Sequence, residues 1–343
     1  MMKLDINELK TTKIPLRFRE NGTFRVLMVS DIHGGVGYNK EQTVTALQAL
    51  VDTAGPDLVL FGGDTAGPGR IHIETTDQLA SLLTDLSGPM EEAGIPWAHV
   101  FGNHDDNYGV PNAEAEPVYE SFPHCISKAG PEEIDGVGNY VLPVYDAAGE
   151  KILFNLFGLD SHQGMSEFRT RFGLPEDTRF LNPSTGTGSG YDTVHFNQIM
   201  WYWQASEALE ADNGARIPAL LFMHIPTPEH ALAAMYRDDC HFEGTQLEDV
   251  ACTMLNGGLF SACLQRGDVK GIFCGHDHVN DFTAEYCGIT LGYDGFLSYH
   301  ACHRHEIRGG RVLDLSADGT FSTKMLRIRD ILGEAGDTWS SRK

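Results

Sequence analysis

Short apolar runs recur along the chain, and five of them stop at polar residues that can bind a metal ion. The runs occupy residues 26–29, 58–61, 98–101, 219–223 and 271–274, and each is short enough to be a buried strand. The polar residues that follow are Asp31, His33, Asp64, Asn103, His224, His276 and His278. In open α/β sheets, ligands lie beyond the carboxyl ends of the strands. We therefore expect these side chains to gather at one rim and form a site.

Between the runs, apolar residues recur at helical spacing. They lie at positions 44, 47, 50 and 51 in the first interval and at 79, 82, 83, 86 and 90 in the second. This alternation predicts a β-α-β-α-β opening, a parallel sheet and an α/β fold. A further helix is predicted over 197–210, where the spacing favours core packing of Trp201 and Trp203 over a stacking platform for bases.

The remaining segments predict an irregular periphery. Residues 14–30 are typical of a hairpin with an Asn21-Gly22 turn, and the β-like pieces after His278 are expected to form the second half of a sheet. Loops over 105–150 and 182–190 are expected to pass over the site and could act as lids. With no repeat or linker in view, we expect a single domain over 1–343, with its core at about 14–328 and flexible tails.

Composition narrows the function classes. The 343 residues are 41% hydrophobic, which suffices for a sizeable core, and the net charge of −23 argues against a nucleic-acid partner and favours small substrates. No apolar stretch approaches the roughly 20 residues that span a bilayer, and the opening segment lacks an apolar leader region. Seven cysteines without CxxC pairs suit a reducing compartment. We expect a cytoplasmic protein with no membrane partner, while its oligomeric state is open.

The spacing of the polar residues points to metal binding. Asp31 and His33 are two residues apart, as are His276 and His278, so each pair would face one side of an extended backbone. Asp64 follows Gly62-Gly63 and has two oxygens with which to bridge two ions. Taken singly, a histidine at a strand end is more often a satisfied polar residue than a ligand.

Together, these residues resemble the five-block signature of the calcineurin-like metallophosphoesterases. The blocks are Asp31-Ile32-His33, Gly63-Asp64, Gly102-Asn103-His104-Asp105, His224 and Gly275-His276-Asp277-His278. The sequence around His224, the segment 275–281 and the stretch leading to His300 are more closely similar to the purple-acid-phosphatase-like branch, which includes relatives of a yeast phosphatase acting on phosphoproteins. The resemblance implies a four-layer α/β/β/α sandwich with two mixed β-sheets.

The resemblance also implies a two-metal centre. One ion would take Asp31, His33, Asp64 and His278, and the other would take Asp64, Asn103, His224 and His276. Imidazole, carboxylate and amide donors suit divalent or trivalent transition metals such as Fe, Mn or Zn. A hydroxide bridging the two ions would attack phosphorus. His104 would contact a phosphoryl oxygen or protonate the leaving group, and Asp105 would orient His104 unless it is a loop cap, in which case Asp106 competes for that role.

The implied activity is hydrolysis of a phosphomonoester, either a small phosphorylated molecule or a phosphoprotein. The alternatives are a phosphodiesterase acting on a cyclic nucleotide or lipid head group and, ranked lower, a non-catalytic interaction module.

The sequence departs from the pattern of the purple acid phosphatases in one respect. Plant and mammalian purple acid phosphatases carry an iron-binding tyrosine three residues after the bridging aspartate, but that position is Gly67 here, and His33 stands where they lack a histidine ligand. We therefore expect no purple colour.

Two further groups of residues carry weaker signals. His300, His303 and His305 are expected at the surface or on the pocket wall, because their spacing matches no metal-site pattern. Asp160-Ser161-His162 resembles a serine–histidine pair, but adjacency in sequence gives no support for a nucleophile.

Overall fold

The computed structural model describes residues 4–67, 72–106, 109–180, 190–301 and 304–337. Within these ranges the strands form two sheets and the helices cover them. The helices are α1 (Ile6–Lys10), α2 (Lys40–Ala54), α3 (Thr76–Ala93), α4 (Asn112–Glu120), α5 (Met165–Phe172), α6 (Phe196–Asn213), α7 (Pro228–Met235), α8 (Leu259–Arg266) and α9 (Ile328–Leu332). None of these helices is both long and apolar enough to cross a membrane.

The first sheet has five strands in the order β12-β11-β2-β3-β4. Its members are β2 (Thr23–Val29), β3 (Leu58–Phe61), β4 (Trp97–His99), β11 (Gly309–Ser316) and β12 (Phe321–Arg327). The strands β2, β3 and β4 are parallel, as predicted, and Phe61 pairs with both Val29 and His99. Their carboxyl ends are therefore level with one another. The strand β11 runs antiparallel to both β2 and β12.

The second sheet has seven strands in the order β1-β5-β6-β7-β8-β10-β9. Its members are β1 (Leu16–Arg17), β5 (Tyr140–Tyr145), β6 (Ile152–Gly158), β7 (Ala219–Phe222), β8 (Val269–Cys274), β9 (Thr283–Tyr286) and β10 (Ile289–Tyr293). The strands β6, β7, β8 and β10 are parallel to one another, β5 is antiparallel to β6 but parallel to β1, and β9 is antiparallel to β10.

Alternate residues of β2 face opposite sides of the first sheet and explain how the layers form. Leu27 and Val29 pack in the cluster that contains the apolar faces of α2 and α3. Val26 and Met28 pack in a different cluster, together with residues of the second sheet such as Phe222. A third cluster joins the outer face of the second sheet to α6, α7 and α8. Helices thus cover two face-to-face sheets, which confirms the expected four-layer α/β/β/α fold with two mixed sheets.

The predicted hairpin at the N-terminus is wrong. A turn does form, with the Gly22 N–H donating to the Arg19 carbonyl at 2.8 Å. However, Leu16 of β1 pairs in parallel with Val144 of β5, so the strands flanking the turn belong to different sheets. A period-two pattern shows that a segment is extended with one buried face, but it does not specify the partner strand.

The prediction that the late β-segments form one continuing sheet is also wrong. The strands β9 and β10 extend the seven-stranded sheet, while β11 and β12 return to the five-stranded sheet and pair beside β2. The segment that leads from β10 to β11 passes the carboxyl ends of β2 and β8, where the Leu297 N–H donates to the Ser30 carbonyl and the Asp294 N–H donates to the Cys274 carbonyl.

The excursion predicted at 105–150 is only partly irregular, because it contains α4 and β5. Ala115 and Tyr119 of α4 pack into the core beside the first sheet. The other predicted loop, 182–190, lies outside the described residues except for Gly190. The helix predicted at 197–210 is found as α6, and Trp201 is buried in the core as expected.

The described parts of the two chain ends contain packed elements, and the flexibility of the tails stays a prediction. Leu9 of α1 is buried and packs in the same cluster as α6. Ile331 and Leu332 pack against the cluster around α2 and α3, and a 3-10 turn follows over Gly333–Asp337. The single-domain organisation stays a prediction.

Candidate metal centre

The predicted donor residues lie just beyond the strands of both sheets. Asp31 and His33 follow β2, Asp64 follows β3, His224 follows β7, and His276 follows β8. Four of these five residues have positive φ angles, namely Asp31 at 52°, His33 at 52°, Asp64 at 49° and His276 at 76°. The extended backbone assumed for the i, i+2 pairs is therefore wrong, and left-handed turns aim the side chains instead. Left-handed non-glycine residues are uncommon and concentrate at functional sites.

One donor group contains Asp31, His33 and His278. The Nε2 atom of His278 lies 3.3 Å from Asp31 Oδ1 and 3.0 Å from His33 Nε2. His33 Nε2 is also 3.8 Å from Asp31 Oδ1. One donor atom from each residue fits within a span of 4.8 Å, so the three side chains could share one ion.

A second donor group contains Asp31, Asp64 and His224, and it overlaps the first. His224 Nε2 lies 3.2 Å from Asp64 Oδ2 and 3.9 Å from Asp31 Oδ1. Asp64 Oδ2 is in turn 3.7 Å from His33 Nε2, which belongs to the first group. The carboxylate of Asp64 thus stands between the two groups, where a bridging ligand would be placed.

The orientation of His224 is fixed by a backbone carbonyl. Its Nδ1 donates a hydrogen bond to the Gly62 carbonyl at 2.8 Å, so Nε2 is the atom that faces the carboxylates. Histidine ligands of metals commonly donate their other ring N–H in this way. Both His224 Nε2 and Asp31 Oδ1 are buried beside charged neighbours, but among the described residues neither atom makes a hydrogen bond of good geometry. Buried polar atoms without partners are costly, and a cation would satisfy these two.

The other predicted site residues lie close by. The imidazole of His276 is 5.2 Å from that of His224, and the imidazole of His104 is 5.6 Å from that of His33, measured between ring centroids. The backbone N–H of His104 donates to Asp64 Oδ1 at 2.8 Å. Asn103 precedes His104 and is buried. The structure therefore brings the seven predicted donors and His104 to the same rim.

The electrostatics of the cluster are those of a cation site. Burial opposes ionisation of Asp31, but His224 and His278 outweigh it and lower the pKa of Asp31 to about 2. Burial also disfavours charge on His224, yet Asp64 and Asp31 raise the pKa of His224 to about 10. Burial lowers the pKa of His33 to about 4 and that of His276 to about 3. The carboxylates thus stay charged and hold a proton on His224, and a metal cation could take the place of that proton.

The carboxylate of Asp105 accepts hydrogen bonds from the backbone of the site. Its Oδ2 accepts the N–H groups of Asp64 at 2.9 Å and Gly102 at 2.7 Å, and its Oδ1 accepts that of Ala66 at 2.8 Å. Burial, reinforced by the charge of Asp64, raises the pKa of Asp105 to about 7. These contacts agree with the alternative of a loop cap, and the role in orienting His104 stays a prediction.

Sequence reasoning missed three residues that support the centre. Ser30 Oγ donates to Asp294 Oδ1 at 2.7 Å and also contacts Asp31 Oδ2. Tyr191 packs edge-on against His276, with ring centroids 4.3 Å apart. Asp294 follows directly after β10, so the strand-end rule applied to the other donors could have found it. Ser30 likewise follows directly after β2, whereas no comparable signal marks Tyr191.

Close packing around the donors requires glycine at several positions, and Gly63 and Gly275 are two of them. A Cβ atom on Gly63, whose φ is 98°, would lie 2.5 Å from His224 Nδ1. A Cβ atom on Gly275 would lie 2.5 Å from Ser30 Oγ. His300, expected on the pocket wall, hydrogen-bonds through Nε2 to the His33 carbonyl. His303 lies outside the described residues.

A four-layer sandwich that gathers buried carboxylates and imidazoles at its strand ends defines a metal-binding α/β protein. The family model described as calcineurin-like phosphoesterase matches residues 24–280. The chain therefore belongs to the calcineurin-like phosphoesterase family, which confirms the resemblance seen in the sequence.

Individual relatives support this assignment. A protein of Arabidopsis thaliana named "Probable inactive purple acid phosphatase 14" is 31% identical over 316 residues, which is 83% of this chain and 73% of its own length. The "Phosphatase DCR2" of Saccharomyces cerevisiae is 25% identical over 300 residues, which is 78% of this chain and 46% of its own length. The structure of a dimetal phosphatase from Danio rerio superposes with a TM-score of 0.58 at 13% identity, over 89% of this chain and 96% of that one. At that identity, the last comparison shows the fold alone.

Proposed function

We propose that this protein is a dinuclear metal-dependent phosphoesterase that hydrolyses phosphomonoesters. The observation that carries the proposal is the pair of overlapping carboxylate–histidine groups, which share Asp31 and meet at Asp64. Nitrogen and oxygen atoms of these groups lie 3.0–3.9 Å apart, as expected of neighbouring ligands of common ions. The fold and the family both accommodate such a centre.

The ligand assignment is the one that the resemblance to the family implies. Asp31, His33, Asp64 and His278 would hold one ion. Asp64, Asn103, His224 and His276 would hold the other. This mixture of imidazole, carboxylate and amide donors favours Fe, Mn or Zn. When bound, two such ions would activate water at neutral pH and neutralise the phosphoryl oxygens.

His104 is the candidate catalytic residue of the chain itself. Its backbone is tied to Asp64 Oδ1, and its ring stands beside that of His33, so the imidazole lies at the mouth of the donor cluster. From there it would hydrogen-bond a phosphoryl oxygen or donate a proton to the leaving alkoxide. Asp105 contributes indirectly, because it fixes the two backbone segments that carry Asp64 and Asn103.

The first experiment combines metal analysis with two substitutions. We expect His104→Ala to lower phosphate release by about 10²–10⁴-fold while the metal content stays unchanged. We expect Asp64→Asn to lose both the metal and the activity. His124→Ala serves as a matched control, since His124 pairs with Glu91 outside the site and should affect neither quantity. Unchanged phosphate release in both His104→Ala and Asp64→Asn would favour a non-catalytic module instead.

The substrate class is tested separately. The charge of −23 offers no evident basic track for a polymer, and it favours a small phosphomonoester or a phosphorylated side chain over nucleic acid. The runner-up is a phosphodiesterase with the same ligands. Turnover of an aryl phosphate should exceed that of the bis-aryl phosphate at equal metal loading, and the opposite order would establish the diester activity.

The name of the Arabidopsis relative says "probable inactive", which makes the activity test essential. In favour of activity, this chain carries every donor of the five-block signature together with His104.

We also propose that the protein works in a reducing compartment such as the cytoplasm. The six described cysteines are all free thiols, and five of them are buried.

A further inference from the structure

A second histidine–carboxylate cluster lies outside the residues assigned above. It consists of His162, which follows β6, and of Asp192 and His195, which precede α6. One donor atom from each fits within a span of 4.8 Å. We propose that this cluster binds a third metal ion of the zinc class, separate from the dinuclear centre.

The hydrogen bonds of Gln198 define which nitrogen of His162 is available. The amide nitrogen of Gln198 donates to Asn139 Oδ1 at 2.8 Å and to the Asp160 carbonyl at 2.7 Å, so both of its N–H groups are used. Its Oε1 must then be the acceptor for His162 Nε2 at 2.9 Å, as it is for the His195 N–H. His162 therefore carries its proton on Nε2, and the neutral ring presents a lone pair at Nδ1. None of the described residues hydrogen-bonds that atom.

A hydrogen bond also fixes which ring nitrogen of His195 is available to an ion. Its Nδ1 donates to Asp135 Oδ2 at 2.7 Å, which leaves Nε2 facing Asp192. His195 Nε2 lies 3.2 Å from Asp192 Oδ1 and 3.3 Å from Asp192 Oδ2. Neighbouring ligands of a four-coordinate zinc ion, with bonds of about 2.0–2.1 Å, are roughly 3.3 Å apart. The chain Asp135–His195–Asp192 thus has the form of a carboxylate–histidine–metal triad without its ion.

The surroundings add negative charge. Asp192 and His195 are buried. The imidazoles of His162 and His195 lie face to face with centroids 4.0 Å apart, so the His162 ring must tilt out of this stack for both rings to bind one ion. The cluster opens into a cavity of about 320 Å³ that is also lined by Asp106, Asp160 and Glu167. Because several carboxylates share this cavity and Arg171 is the only lysine or arginine among its described lining residues, a divalent cation would be favoured there electrostatically. Arg171, at the rim, is already paired with Asp135.

The cluster connects to the main site through the backbone. The hydroxyl of Ser161, next to His162, accepts the N–H of Ile225, next to His224. An ion held by His162, Asp192 and His195 would tie the segment after β6 to the start of α6. We therefore expect the third ion to order this part of the rim without taking part in the reaction.

The test counts zinc on the full chain. Metal-free protein is dialysed against a fixed free zinc concentration, and bound zinc is measured by mass spectrometry. We expect three zinc ions per chain in the wild type and two in Asp192→Asn or His195→Gln. His124→Gln is the matched control, because His124 also bonds a carboxylate, Glu91, at 2.6 Å but belongs to neither metal cluster, and it should retain three.

A second measurement does not depend on the folding of those variants. In the double variant Asp64→Asn, His224→Asn, which disables the dinuclear centre, we expect calorimetry to find one zinc site. Adding Asp135→Asn should weaken that site by about 10–100-fold. Absence of zinc binding in a correctly folded double variant would overturn the proposal and leave the cluster as an ion pair around a charged His195. Since only zinc is counted, this outcome is independent of whether the protein is a phosphatase.

Discussion

The carboxylate of Asp105 accepts the backbone N–H of Asp64 at 2.9 Å, so a residue from the loop after β4 holds the loop after β3 in place. The same oxygen accepts the Gly102 N–H at 2.7 Å, and the second oxygen accepts the Ala66 N–H at 2.8 Å. Asp64 is the candidate bridging ligand, and its φ of 49° is unusual for a residue with a side chain. The position of Asp64 thus depends on the side chain of Asp105, which need not touch a metal.

The first prediction follows from the three backbone hydrogen bonds that the Asp105 carboxylate accepts, which we call the Asp105 clamp. Replacing Asp105 with Ala leaves three amide N–H groups without their acceptor, and we expect a loss of at least about 2 kcal/mol in the free energy of unfolding. We also expect metal affinity to fall by about 10–100-fold, as for other residues that hold ligands in place. Urea unfolding and metal titration measure the two effects. The surface variant Asp52→Ala should change neither, and wild-type metal affinity in Asp105→Ala would refute the clamp.

The second prediction concerns the close approach of Gly63 to His224. Both Gly63 and Gly37 have positive φ angles, 98° and 79°, but only at Gly63 would a Cβ meet His224, since no described atom lies within 4 Å of a Cβ on Gly37. Alanine at either position loses about 1–2 kcal/mol through the left-handed backbone. Gly63→Ala should in addition displace His224 and deplete the metal, whereas Gly37→Ala should keep it. Equal metal content in the two variants would show that His224 can move without consequence.

The third prediction is a pH dependence of stability. His230 is buried against Thr227 and Cys274, and burial lowers its pKa from 6.5 to about 3. The folded protein therefore keeps His230 neutral, while the unfolded chain takes up a proton below about pH 6.5. The stabilisation by the neutral ring is fully present above pH 6.5 and is lost progressively as the pH falls towards 3.

Replacing His230 with Asn should remove the part of the pH dependence of stability that comes from this histidine. In metal-free protein, we expect the slope of unfolding free energy against pH to decrease by up to about 1.4 kcal/mol per pH unit between pH 6.5 and 4. Above pH 7.5 the curves of wild type and variant should run parallel, which serves as the internal control. Parallel curves throughout the acid range would mean that His230 becomes charged without unfolding the protein.

Local patterns brought the candidate donors into view, because each one lies two to four residues beyond the end of a buried strand. They were not enough to specify how Asp31, His33 and Asp64 are aimed, since an aspartate or histidine in a left-handed turn looks the same in sequence as one in a strand. The sequence also left Asp105 with two possible roles, because its partners are backbone amides that carry no sequence signature. The cluster of His162, Asp192 and His195 depends on the meeting of two segments some thirty residues apart, which only the fold reveals.

The final prediction concerns colour. Tyrosine bound to iron produces the colour of the plant and mammalian purple enzymes, but the corresponding residue here is Gly67, where a Cβ would lie 2.4 Å from the His33 carbonyl oxygen. A tyrosine at this position would therefore clash with the backbone that carries a donor. We expect iron-loaded protein to show no strong visible tyrosinate band. Tyr191 provides the control, since its ring lies against His276, a candidate ligand. A band that is present in the wild type and absent in Tyr191→Phe would contradict the prediction and identify Tyr191 as an iron ligand supplied by a different part of the chain.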